Sequence, residues 1–236
     1  MKTIGLLGGM SWESTIEYYR LLNEAVKAEL GSLHSAKILM YSVDFEELVA
    51  LKHEGNWDKI GQILAEAAAQ LEGAGAACML LATTTKHKVA DAIALSTTIP
   101  FIHIADATAD AIKQAGIHRV GLLGTRFTME ESFYKDRLIY QHGLAVQVPT
   151  GPERSFIHDV IYDELCLGDI RASSRDRFRH TITSLVASGA EAVILGCTEI
   201  GLLVNSQDST VPIFDTTAIH ARAAARWAIH QDDANS

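Results

Sequence analysis

The sequence predicts an α/β protein made of two pseudo-symmetric, parallel-sheet lobes. Short apolar runs alternate with helical patterns, the two halves of the chain repeat one another, and the repeated segments end on chemically useful residues at matching places. The runs "KTIGLLG", "AKILMYSV", "AACMLLA", "RVGLLG" and "EAVILGC" read as buried strands. A parallel strand covered on both sides has no polar face, so it shows a continuous apolar run. "STIEYYRLLNEAVKAEL" and "WDKIGQILAEAAAQLEGAG" read as amphipathic helices, the second stopped by glycine. Strand–helix alternation of this kind implies parallel sheets.

The repeat is visible in three places. "IGLLGGM" from Ile4 matches "VGLLGTR" from Val120, and at the same offset Tyr18 falls on Tyr134. "GAACMLLATTT" from Gly75 matches "GAEAVILGCTE" from Gly189. "IPFIHIADAT" and "VPIFDTTAIH" align through Pro100 and Pro212, and each reads as a crossing between lobes. Three matches in order at nearly constant offset indicate duplicated units. The first lobe is expected over residues 1–97 plus 214–236, and the second over 98–213. Both are expected to be flavodoxin- or Rossmann-like. Ligands of such sheets bind beyond the carboxyl ends of the strands. Two lobes facing each other place the active site in the cleft between them.

Composition narrows the function. The chain has 236 residues, 48% of them hydrophobic, and carries a net charge of −9. That is enough apolar material for a sizeable core. Phosphate-backbone binding needs clustered Lys and Arg, so a nucleic-acid partner is not expected. The N-terminal stretch "MKTIGLLGGMSWEST" is too short and too glycine-broken for a signal peptide. No apolar run approaches the roughly 18 residues of a membrane span, so no membrane partner is expected. The three cysteines, Cys78, Cys166 and Cys197, show neither a disulfide framework nor a CxxC metal pattern. A reducing cytoplasm and no metal follow as expectations.

Four strand ends are candidate site segments. "GGMSWEST" supplies Gly8 and Gly9 for close backbone approach and Met10 beside them, but lacks both a GxGxxG fingerprint and a P-loop lysine. "GTRFTMEESFY" supplies Thr125, Arg126 and Thr128, with Thr128 also at capping-box spacing from Glu131. In the remaining pair the repeat sets Thr83 against Cys197, Thr84 against Thr198 and Thr85 against Glu199. Cys197 ends a strand and precedes a helical turn, where a thiol's pKa is expected to fall toward neutrality. Cys78, mid-strand, reads as an inert core residue, as do Trp12, Trp57 and Trp227.

Matched groups on opposite sides of a cleft suit inversion of a carbon centre, with a proton taken from one face and delivered to the other. The segments "GLLGGMSWEST", "ATTTKH" and "GCTEIGLLV" together make the chain similar to the aspartate/glutamate racemase family, and especially to its enterobacterial branch. That family works without pyridoxal phosphate or metal, so the resemblance implies no cofactor, a small amino-acid substrate and a homodimer. Its members typically carry Cys-Asn-Thr-x-His in the first half and Gly-Cys-Thr-Glu in the second. The second motif is intact as Gly196, Cys197, Thr198 and Glu199. In the first, Thr85 and His87 match, but Thr83 replaces the cysteine and Thr84 the asparagine.

The resemblance implies that Cys197 acts on the α-proton of the L-enantiomer. Thr83 is left as a weak partner on the opposite face, because an alkoxide is not accessible near pH 7. An L-biased racemase is the expectation. Thr84, Thr85 and Thr198, with the Met10 turn, are expected to supply donors for charge developing on the α-carboxylate. Lys52 is expected to meet a distal carboxylate and Glu164 the ammonium group. Asp44 and Glu199 are expected to orient the site or tune the thiolate, and His87 and His220 to hydrogen-bond structurally. Two rivals share the same residues: an arylmalonate-decarboxylase-like enzyme with one cysteine, and an amino-acid-binding module with a degraded site.

Overall fold

The computed structural model describes residues 1–230. The last six positions of the segment assigned to the first lobe, 231–236, lie outside the described residues. The chain forms two compact units, one of residues 1–104 with the segment from His220 on, the other of residues 105–219.

In the first unit β1 (Ile4–Gly8) is the central strand, flanked by β2 (Ile38–Ser42) and β3 (Cys78–Leu81), all parallel. Helix α1 (Trp12–Leu30) joins β1 to β2, and its N-cap Ser11 accepts from the Ser14 N–H. It buries Tyr18, Leu22 and Val26 at helical spacing. α2 (Phe45–His53) and α3 (Trp57–Gly73) join β2 to β3, and a 3₁₀ turn over Thr85–Val89 leads into α4 (Ala90–Leu95). Successive strand residues point to opposite faces, and the core divides accordingly. Ile4, Leu6, Cys78 and Leu80 pack with α1 and with the alanines of the C-terminal helix, while Leu7, Met79 and Leu81 pack with α2 and α3. Trp57 and Trp227 pack against these cores, but Trp12 is 62% exposed. It is the first residue of α1, on a side the core does not reach.

The second unit holds β4 (Arg119–Leu123), β5 (Ala145–Gln147), β6 (Ala192–Leu195) and β7 (Ile213–Asp215) in the order β5-β4-β6-β7, again parallel. Its helices are α5 (Ile104–Gln114), α6 (Arg126–Glu130), α7 (Ser132–Asp136), α8 (Gly151–Asp163), α9 (Ala172–Ala187) and α10 (Ile200–Leu203). α11 (Thr216–His230) starts here and runs on into the first unit.

The repeat is written into the pairing register. Ile4 pairs with Cys78, and their counterparts Val120 and Ala192 pair with each other. Met79 bridges Phe101 as Val193 pairs with Ile213. The two prolines play one part: the Pro100 carbonyl accepts from the Met79 N–H at 2.8 Å, and the Pro212 carbonyl from the Val193 N–H at 2.9 Å. A proline cannot donate to a ladder but can still accept at its edge. β5 and β7 are additions to the sequence reading. Each spans three residues, too few to show a period.

Two buried histidines brace the first unit. His87 Nδ1–H donates to the Thr83 carbonyl at 2.7 Å, and its Nε2 accepts from the Ile104 N–H at 3.3 Å. His220 Nε2–H donates to the Ile102 carbonyl at 2.7 Å, and its Nδ1 lies 2.9 Å from the Tyr18 hydroxyl. One donor and one acceptor nitrogen require a neutral His87 ring. Burial, with His103 and His220 nearby, holds its pKa well below the ordinary value. The folded chain therefore binds this proton less readily than the unfolded chain. Stability supplied by His87 is present above the unfolded pKa of about 6.5 and is lost as pH falls below it. Urea unfolding should show the native protein's advantage over His87→Gln shrinking by about 1.4 kcal/mol between pH 7.5 and 5.5. An unchanging difference contradicts the neutral ring.

Candidate functional site

Because β1 lies between β2 and β3, three consecutive chain turns meet at the carboxyl edge of the first sheet. The turn after β1 is tight. Gly9 has φ +89°, its N–H donates to Thr15 Oγ1 at 2.8 Å, and a side chain there would collide with the Val43 backbone. Met10 turns its side chain into the core beside Leu7 and Leu48. After β2, Asp44 caps α2 by accepting from the Glu46 N–H at 3.1 Å, and Lys52 lies half-buried in the last turn of that helix.

After β3 come the threonines. Thr83 is 8% exposed, and its carbonyl is held by His87. The buried Thr84 hydroxyl has no hydrogen-bond partner among the described residues. An unsatisfied buried hydroxyl costs on the order of 1–3 kcal/mol, which a ligand group could recover. Thr85 opens the 3₁₀ turn. Lys86, inside the same motif, is 3% exposed, a burial that nothing in the sequence signals. Cys78 is fully buried and its thiol is pushed up to about 12, as an inert core residue should be.

In the second unit Thr125, not Thr128, caps α6, accepting from the Thr128 N–H at 3.4 Å. Glu131 ends that helix instead of completing a capping box, because the strand stops and the helix starts earlier than the spacing suggested. The Glu164 carboxylate is engaged within the unit, taking the Ser174 hydroxyl at 2.6 Å and Arg171 at 3.2 Å. Asp215 at the end of β7 was not singled out by the sequence. It accepts from the Thr217 and Ala218 N–H groups, while Thr216 donates to the Leu195 carbonyl at 2.8 Å and so ties α11 to the end of β6. Its signal was an Asp followed by two threonines at a helix start.

Cys197 follows β6 directly. Its Sγ–H donates to Glu199 Oε2 at 2.8 Å, and the Thr198 hydroxyl donates to the same oxygen at 2.6 Å. Burial first, then the charge and hydrogen bond of Glu199, push the thiol well above its ordinary pKa. This corrects the expected depression toward neutrality. α10 has only four residues, so its dipole is small, and a carboxylate occupies its N-cap. Tyr162 is likewise raised, by burial and then by Cys197, Cys166 and Glu199, which marks those groups as electrostatic neighbours. The arrangement is a protonated thiol already hydrogen-bonded to a base. Among the described residues, no group of His, Cys, Asp or Glu side chains could hold a metal ion, and no helix is long and apolar enough to cross a membrane. Glu199→Gln should lower the pH midpoint of Cys197 alkylation, read by peptide mass spectrometry. An unmoved midpoint removes Glu199 as the group that holds the thiol proton.

A family model of Asp/Glu/hydantoin racemases matches residues 7–224. The crystal structure of a candidate Asp/Glu racemase from Yersinia pestis is similar at a TM-score of 0.94 and 55% identity, covering 98% of this chain and 100% of that one. An aspartate racemase homologue from Pyrococcus horikoshii is similar at 0.86 and 34% identity, over 97% and 99% of the two chains. The Picrophilus torridus aspartate racemase, at 21% identity and a TM-score of 0.74 over 97% and 94%, shares the fold. With sheet order, strand-end motifs and match all in agreement, the chain belongs to the Asp/Glu/hydantoin racemase family.

Proposed function

We propose that this protein is a cofactor-independent racemase of aspartate and glutamate that works better on the L-enantiomer. The observation that carries the reading is the Cys197 thiol at the end of β6, hydrogen-bonded to the Glu199 carboxylate at 2.8 Å. Cys197 passes its proton to Glu199 and, as thiolate, takes the α-proton. A thiol of raised pKa yields a stronger base once ionised, which narrows the gap to a very weak carbon acid. The negative charge spreads onto the α-carboxylate, where Thr84 and Thr85 offer donors and Thr198 joins them once its hydroxyl leaves Glu199. The unpaired, buried Thr84 hydroxyl supports that assignment.

Thr83 donates a proton to the opposite face, directly or through water, and Glu199 returns its proton by way of solvent. A hydroxyl can give a proton to a carbanion but cannot take one from an α-carbon near pH 7, hence the bias. The same reading carries a homodimer in the cytoplasm.

Cα–H exchange in deuterated water, followed by NMR, tests the scheme. L-aspartate and L-glutamate should exchange faster than their D-forms, Cys197→Ser should lose about 10²-fold or more, and Thr83→Cys should raise exchange from the D side. Equal exchange of both enantiomers by the native protein removes the asymmetry. No exchange of either amino acid removes the racemase itself.

A further inference from the structure

Lys86 sits in the turn after β3 and is only 3% exposed. A buried charge is costly unless an opposite charge meets it. Among the described residues no carboxylate does so. Its ammonium lies 5.4 Å from the centre of the Phe45 ring, and Lys52 is an electrostatic neighbour. Phe45 and Lys52 lie two turns apart on α2 and so share one of its faces. α2 follows β2 while Lys86 follows β3, and β1 lies between them. Lys86, which follows β3, therefore meets the first residue of α2, the helix that follows β2. Burial, and then Lys52, draw its amine down to about 8, which still leaves roughly nine in ten protonated at pH 7. Lys86 thus carries a buried positive charge just after β3, with Lys52 as an electrostatic neighbour and no counter-charge on Lys86 among the described residues.

We propose that Lys86, with Lys52, forms an anion subsite for the side-chain carboxylate of a dicarboxylic amino acid; the identity of that ligand rests on the racemase reading. Charge considerations separate the two carboxylates of such a substrate. The α-carboxylate gains charge during proton abstraction and suits the neutral threonine donors. The side-chain carboxylate keeps a constant charge, so full cations bind it equally in ground and transition states and act on KM more than on kcat. Flexible lysine stems can follow the one-methylene difference between aspartate and glutamate. If the Lys86 stem merely filled space against Phe45, a methionine would serve as well.

The test uses the intact native protein with 13C,15N-labelled lysine. The Lys86 signal, assigned by its loss in Lys86→Arg, is titrated with pH alone, with succinate, and with L-alanine. Saturating succinate should move the Lys86 titration up by about one pH unit, and L-alanine should leave it unmoved. In the exchange assay Lys86→Met should raise KM for L-aspartate about 10- to 100-fold with a smaller change in kcat, and Lys86→Arg should recover part of the loss. A succinate shift without any Cα exchange keeps the subsite and removes the racemase reading. Exchange with no succinate shift, or with an unchanged KM in Lys86→Met, removes the subsite and keeps the racemase. Neither shift nor exchange removes both. Should Lys86→Met fail to fold, the native titration decides alone.

Discussion

Parallel pairing around β1 and around β4 is the constraint on which the rest of this protein depends. Hydrogen bonding of β1 to β2 and β3, all running one way, brings every carboxyl end in that sheet to one edge. The same holds for β4 with β5 and β6. Residues far apart in sequence, such as Gly9, Asp44 and Thr84, come to one edge only because their strands are in register. Both faces of each sheet must then be covered by helices, which explains the continuous apolar runs and the alanine-rich side of α11.

Burial sets the protonation of several groups in both units. The same physical effect acts in opposite directions on different groups, since low polarity disfavours whichever form is charged. It raises Cys197 and Cys78, and it lowers Lys86 and His87. What distinguishes these groups from one another is the neighbour. Cys78 has burial alone, whereas Cys197 has a carboxylate hydrogen-bonded to its sulfur. His87 is satisfied at both nitrogens and so braces the Thr83 carbonyl, while Lys86 has Lys52 as an electrostatic neighbour.

The duplicated register also gives the asymmetry its meaning. Thr83 and Cys197 occupy equivalent places after equivalent strands, β3 and β6, whose pairing partners match residue for residue. One place holds a thiol hydrogen-bonded to the Glu199 carboxylate. The other holds a hydroxyl on a backbone fixed by histidine. The two halves match where backbone hydrogen bonds set the register and differ in the side chains at these two places.

The sequence by itself determined the two-lobe α/β architecture, the strands β1 to β4 and β6, and the strand-end positions of Thr83 and Cys197. Apolar runs and an internal repeat survive in one dimension because they reflect burial of whole elements. It missed β5 and β7, whose three residues carry no period, and it misplaced the α6 cap by one turn, from Thr125 to Thr128. Tertiary structure alone decided the direction of the Cys197 shift, because that depends on burial and on where the Glu199 carboxylate points. It likewise decided the burial of Lys86 beside Phe45, because a lysine in a polar motif meets a residue that follows another strand only once the sheet has formed.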